Sequence, residues 1–175
     1  MPERLKIILT PEEITQRVKE LGEEISREYE DKPLVIIGVL KGAFVFLADL
    51  MRALRIPRVE VDFVRLKSYG LSDTSTGEVQ ITKDVELPLQ GKHVLIIEDI
   101  VDTGYTLAFL KDHLLRYEPS SVKTCCFIDK AERRQVPVEI HYKAFEIPKG
   151  FLVGYGLDFA EKYRYLPGVY EIVKE

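Results

Sequence analysis

Between residues 10 and 30 the apolar positions fall at steps of three and four: Ile14, Val18, Leu21, Ile25 and Tyr29. That spacing puts them on one face of a helix, and Thr10, Pro11 and Glu13 just before it form a capping box with proline at the first helical position. The pattern then changes. Residues 34–40 (LVIIGVL) are apolar without a break, which suits a parallel strand covered on both faces. After Lys41-Gly42, Phe44, Leu47, Met51 and Leu54 predict a second helix, and 59–66 a second strand, completing a βαβ unit. Residues 94–97 form another buried strand; Leu107, Leu110, Leu114 and Tyr117 predict a third helix, and 122–128 a further strand. Alternating strands and helices of this kind predict an α/β fold, a doubly wound and mainly parallel sheet flanked by helices.

Two stretches break the alternation. Residues 68–84 turn polar, with Gly70 and Gly77 among them, and read as a long hairpin excursion able to act as a lid. From about 135 to 175 the chain is rich in tyrosine and interrupted by Pro137, Pro148 and Pro167, so short strands and loops packed beside the sheet are expected there.

A length of 175 residues suits one well-buried core, and hence a single domain over 1–175. Hydrophobic residues at 46% and charged residues at 31% are the balance of a globular enzyme. No apolar run is long enough for a membrane span, and the amino terminus lacks the apolar core of a signal peptide, so a cytoplasmic protein with no membrane partner is expected. A net charge of -4 argues against a cationic surface for nucleic acid, so any anionic ligand has to be met locally. Cys125 and Cys126 are adjacent, too close for an ordinary disulfide, and read as reduced core residues. His93, His113 and His141 lack metal-ligand spacing.

The stretch VLIIEDIVDTGYTL, 94–107, carries the chemistry. Four apolar residues lead into Glu98, Asp99 and Asp102, where a packed protein has little structural reason for three acids. In an open parallel sheet, ligands bind beyond the carboxyl ends of the strands. The turn Asp102-Thr103-Gly104-Tyr105-Thr106 opens the third helix, whose amino-terminal amides and dipole favour a phosphate. Gly104 allows close approach, and Thr103 and Thr106 add hydroxyls. Glu98 and Asp99 suit hydroxyl donors or a hard cation such as Mg²⁺. Read in isolation, the same residues also describe a capped helix start with the acids facing water.

The whole constellation resembles a known family. Glu98-Asp99-Ile100-Val101-Asp102-Thr103-Gly104-Tyr105-Thr106 resembles the phosphoribosyl pyrophosphate signature of type I phosphoribosyltransferases. The likeness extends to the hypoxanthine-guanine branch through Leu40-Lys41-Gly42, Ser68-Tyr69-Gly70, Lys130 and the stretch 151–158 (FLVGYGLD), with Arg164 after it. The resemblance implies the type I phosphoribosyltransferase fold with a small hood of terminal segments. It also implies transfer of a phosphoribosyl group to hypoxanthine or guanine with release of pyrophosphate, in a homodimer or homotetramer that uses Mg²⁺.

By that resemblance, Asp102 is the general base, and Glu98 and Asp99 hold the ribose hydroxyls and metal. Asp158 lies near the base and a second Mg²⁺, while Lys41, Gly42 and Arg164 meet pyrophosphate. Lys130 donates to the 6-oxo group, Phe151 stacks on the purine, the Leu152 backbone reads its edge, and Ser68 and Tyr69 belong to the lid. A cis peptide at Leu40-Lys41 is also implied. Tyr105 stands where some members carry lysine and has no individual role. A nucleic-acid-binding regulator on the same fold would need a basic face. A relative acting on orotate or adenine would be expected to lack the Lys130 and 151–158 set.

Overall fold

A computed structural model describes residues 3–69 and 78–174. In chain order the elements are β1 (Arg4–Leu9), α1 (Pro11–Glu28), β2 (Leu34–Leu40), α2 (Phe44–Ala53), β3 (Val59–Tyr69) and β4 (Glu78–Lys83). There follow β5 (His93–Val101), α3 (Tyr105–Leu115), β6 (Ser121–Asp129), a 3₁₀ turn at Ala131–Arg133, β7 (Tyr142–Glu146), β8 (Leu152–Val153) and β9 (Val169–Val173).

The main sheet has six strands in the order β4-β3-β2-β5-β6-β7. All its pairings are parallel except that of β4 with β3. Its unbroken apolar runs are explained by burial on both faces. Ile36 of β2 and Leu95 and Ile97 of β5 pack with Ile14, Leu21 and Ile25 of α1 and with Phe46, Leu47 and Leu50 of α2. The alternate residues Val35, Ile37, Val94 and Ile96 pack with Leu107, Leu110 and Leu114 of α3 on the opposite face. The doubly wound sheet expected from the sequence is thus present. The capping box of α1 forms as read: Thr10 Oγ1 accepts from Glu13 N at 3.1 Å, and Thr10 N donates to Glu13 Oε1 at 3.3 Å.

Several local expectations shift. Helix α2 buries Phe46, Leu47 and Leu50, whereas Phe44 and Met51 are 43% and 38% exposed and Leu54 is the cap. Its buried face is therefore rotated from the expected one. Tyr117 lies past the end of α3, half-exposed, and donates to Asp84 at the end of the excursion. The region after Arg134 does not all pack beside the sheet, because β7 joins it parallel to β6. Arg17 of α1 holds that edge by donating to the carbonyls of Lys143 at 2.7 Å and Ala144 at 2.9 Å. The remaining carboxyl-terminal strands form a second, three-stranded sheet, β1-β9-β8, in which the amino-terminal strand pairs antiparallel with β9. Both cysteines are free and buried, and burial raises their thiols. Among the described residues no helix is long and apolar enough to cross a membrane.

Candidate active site

Strands β2, β5 and β6 are neighbours and parallel, so the segments that follow them meet at one edge of the sheet. After β2, the Leu40–Lys41 peptide bond is cis, as the resemblance implied. Gly42 lies against the next segment so closely that a Cβ built on it would fall 1.8 Å from Asp99 Oδ2. A third segment arrives from the hood: a Cβ on Gly156 would sit 2.7 Å from the Gly42 carbonyl oxygen.

Glu98 and Asp99 do not stand in the turn. Strand β5 runs on to Val101, with Glu98 opposite Cys126 and Val101 opposite Asp129, so Glu98 and Asp99 are held in the ladder and the turn begins only at Asp102. Burial, with the Asp99 charge beside it, pushes the Glu98 carboxyl well above the usual carboxylate range. Burial also raises Asp99, opposed by the Ile100 amide that donates to it at 2.6 Å. The buried Glu98 and the partly buried Asp99 beside it need a cation or hydroxyl donors to ionise together. Among the described residues no three His, Cys, Asp or Glu side chains converge on one metal position, so Asp158 does not complete a protein-only cage with them. Magnesium characteristically takes one or two carboxylates and fills its remaining positions with water and substrate oxygens, so this pair fits that ion.

Beyond Val101 the chain bends into α3 through Gly104, whose φ of 97° is left-handed and which brings no side chain to the helix cap. The carbonyls of the turn are occupied. Lys130 N donates to Val101 O at 2.9 Å, and Gln135 N and Val136 N both donate to Thr103 O, at 2.9 and 3.2 Å. Arg134 Nε donates to Asp102 O at 3.1 Å while its Nη2 bonds the buried Asp129. A small cavity of about 90 Å³ is left beside the turn, lined by Glu98, Ile100, Val101, Asp102, Thr103, Gly104, Thr106 and Leu107. Tyr105 does not line it.

Asp102 Oδ1 lies 2.8 Å from Arg133 Nε but outside hydrogen-bond geometry, so this buried oxygen has no hydrogen bond among the described residues. Lys130 is half-buried. Desolvation lowers its ammonium, assisted by Arg133, while the Asp102 charge works the other way. Its Nζ donates to Gly150 O at 2.8 Å, next to Phe151, which is 52% exposed and packs edge-on against Phe159 at 5.5 Å. Leu152 is buried and starts β8.

Asp158 accepts from Glu161 N at 2.8 Å and lies 3.4 Å from Arg164 Nη2. Arg164 also donates to Gly156 O at 2.7 Å. Lys41 Nζ is 3.3 Å from Glu161 Oε2. Ser68 and Tyr69 pair with Val79 and Glu78 at the end of β3, beyond the level where Arg65 faces Leu40. The tip of the expected excursion, 70–77, with its Gly70 and Gly77, lies outside the described residues.

Residues 5–160 match the phosphoribosyl transferase domain family. The hypoxanthine-guanine phosphoribosyltransferase of Aquifex aeolicus is 47% identical over 170 residues, covering 97% of this chain and 95% of that protein. The hypoxanthine phosphoribosyltransferase of Haemophilus influenzae is 42% identical over 172 residues, covering 97% and 96%. A crystal structure of a hypoxanthine-guanine phosphoribosyltransferase from Bacillus anthracis matches with a TM-score of 0.91 at 42% identity, covering 98% of this chain and all of that one. The chain belongs to the hypoxanthine-guanine phosphoribosyltransferase family.

Within this phosphoribosyltransferase fold, the structure gathers the sequence-derived candidates into three groups. Glu98 to Thr106 form one, Lys130, Phe151 and Leu152 a second, and Lys41, Asp158 and Arg164 a third. Sequence reasoning missed Arg133, Arg134 and Glu161. The two arginines stand in a run, KAERR, that reads as an ordinary charged loop; only the three-dimensional return of that loop beneath the turn gives them meaning. Glu161 carries no sequence signal of its own.

Proposed function

We propose that this chain is a purine-salvage transferase that joins hypoxanthine or guanine to phosphoribosyl pyrophosphate, giving inosine or guanosine monophosphate and pyrophosphate. The observation that carries the reading is the pairing of the buried Glu98 and the partly buried Asp99 with a helix start whose cap, Gly104, carries no side chain. Anionic phosphate and hydroxyl-bearing sugar then have complementary partners within one continuous segment, 98–106.

In this reading the amides of Thr103 to Thr106 bind the sugar's terminal phosphate, aided by the α3 dipole and the threonine hydroxyls. Glu98 and Asp99 accept from the ribose hydroxyls and, as the oxygen pair described above, would hold Mg²⁺, with Asp158 near a second ion. When bound, Mg²⁺ neutralises charge on the pyrophosphate oxygens as a Lewis acid. Lys41, with the Gly42 backbone, and Arg164 place further positive charge where negative charge builds on the leaving group. Asp102, whose Oδ1 lacks a hydrogen bond, takes the proton from the purine's imidazole-ring nitrogen as the base attacks.

Lys130 sets the choice of base, because an ammonium only donates and so favours a 6-oxo purine over a 6-amino one. The exposed ring of Phe151 stacks on the base and the Leu152 backbone reads its edge. Ser68 and Tyr69, at the end of β3, belong to the lid that the family resemblance assigns to about 68–84, whose tip at 70–77 lies outside the described residues. We place the enzyme in the cytoplasm as a single-domain homodimer or homotetramer. Assembly would cover the exposed Phe44 and Met51 of α2.

The test is pyrophosphate release from phosphoribosyl pyrophosphate and Mg²⁺ with hypoxanthine, guanine, xanthine and adenine supplied separately. Release with hypoxanthine or guanine and little with adenine is expected. Release with adenine alone overturns the role of Lys130, and no release with any purine overturns the proposal.

A further inference from the structure

Lys41 and Arg164 come from different segments and converge on one carboxylate. Glu161 Oε2 lies 3.3 Å from Lys41 Nζ and 3.3 Å from Arg164 Nε, and Oε1 lies 3.2 Å from Arg164 Nη2. The backbone is built to hold it there. Phe159 and Lys162 exchange both backbone hydrogen bonds, at 3.0 and 2.9 Å, and leave Ala160 and Glu161 as the two central residues of a tight hairpin turn. Both adopt left-handed φ, 50° and 67°, which such turns ordinarily fill with asparagine and glycine. Asp158 Oδ2 fixes the turn by accepting the Glu161 amide at 2.8 Å. Turn propensity does not account for Ala-Glu in this position, whereas the placement of the carboxylate does.

The three partners differ in how firmly they are held. The Arg164 side chain is 18% exposed and anchored through Gly156 O at 2.7 Å without help from Glu161. The Glu161 side chain is 62% exposed and the Lys41 side chain 48%. The arginine therefore stays in place if Glu161 swings out, and the glutamate is the exchangeable partner. A carboxylate brings one negative charge to the two cations, whereas a pyrophosphate group brings more.

We infer that Glu161 is a resident counter-anion: it occupies the two cations until the pyrophosphate group displaces it, and it re-forms the ion pairs as pyrophosphate leaves. This rests on the assignment of Lys41 and Arg164 to the leaving group. Glu161 is thus a positioning residue that keeps the cations aimed at a shared anion site and weakens the hold on the product.

The test is calorimetric binding of Mg²⁺-pyrophosphate to the whole protein and to Glu161→Gln, which keeps the shape and removes the charge. Loss of the competing pairs should tighten pyrophosphate binding about three- to tenfold, with a matching fall in KM for phosphoribosyl pyrophosphate and in the inhibition constant of pyrophosphate. A merely structural role would not tighten binding. Lys41→Ala is measured alongside. If it weakens pyrophosphate binding while Glu161→Gln leaves it unchanged or weaker, the inference is wrong and the leaving-group assignment stands. If Lys41→Ala leaves pyrophosphate affinity unaltered, the assignment itself fails and the inference with it.

Discussion

The segment 98–106 and the hood segment 150–164 both take part in the proposed reaction, yet they are built in opposite ways. The first is contiguous in sequence and fixed by backbone bonds. Glu98 and Asp99 sit in β5, Asp102 opens the turn, and the carbonyls of Val101, Asp102 and Thr103 are tied to residues 130–136. The second gathers half-exposed side chains from separate segments and holds them by ion pairs and one hairpin turn. A site whose geometry comes from the ladder tolerates little change in shape, whereas one held by exposed charges can exchange partners as ligands come and go. In the proposed reaction, chemistry that needs fixed positions would lie on the first, and contacts that must be made and released on the second.

Substitutions should separate the two regions, and the largest effect belongs to Asp102. Asp102→Ala should lower kcat about 10²- to 10⁴-fold while the dissociation constant of phosphoribosyl pyrophosphate changes less than about threefold, as single-turnover kinetics and calorimetry would report. Equal losses in both would reduce Asp102 to a structural residue of the turn. Gly42→Ala comes next. Its new methyl would overlap Asp99, displacing the acid pair and weakening phosphoribosyl pyrophosphate binding about 100-fold with circular dichroism unchanged.

Lys130 joins the two regions, its amide bonded to Val101 O and its Nζ to Gly150 O, and Lys130→Ala should cost about 10- to 100-fold in kcat/KM for hypoxanthine and narrow the gap to adenine. An unchanged preference for 6-oxo purines would move specificity elsewhere.

The smallest effect has the opposite sign. Because the folded-state carboxyl of Glu98 is raised, the protein binds that proton more tightly folded than unfolded. Ligand-free stability is therefore lost as pH rises above the ordinary carboxylate range. Glu98→Gln removes this loss. In chelator without substrate it should be more stable than the parent at pH 7.5, a gain that vanishes near pH 4. Thermal melts at the two pH values check this, and a variant less stable at pH 7.5 would show that the acid pair is not a burial cost.

The same contrast decides how much could be read in the chain. The α1 capping box and the two-faced apolar runs of β2 and β5 are local patterns, and the structure realises them. Pairing between distant segments leaves no such trace. Neither the antiparallel match of β1 with β9 nor the place of β7 in the main sheet follows from periodicity, because both depend on which free edge the strand meets. Pattern does not fix the buried face of α2, since its residues are apolar on several sides, and burial selects Phe46 and Leu50 over Phe44 and Met51. Hydrophobicity ended β5 too early, because Glu98 and Asp99 are polar residues held inside a strand. Lys130, Phe151 and Arg164 were marked by family resemblance rather than by spacing, and Glu161, which depends entirely on a turn, by neither.

Where a nucleotide's phosphate lies tests the proposed site at 98–106 most directly. In a crystal soaked with inosine or guanosine monophosphate, the phosphate should rest on the amides of 103–106 with the ribose hydroxyls on Glu98 and Asp99. A nucleotide bound with its phosphate elsewhere and that turn left to solvent would contradict it.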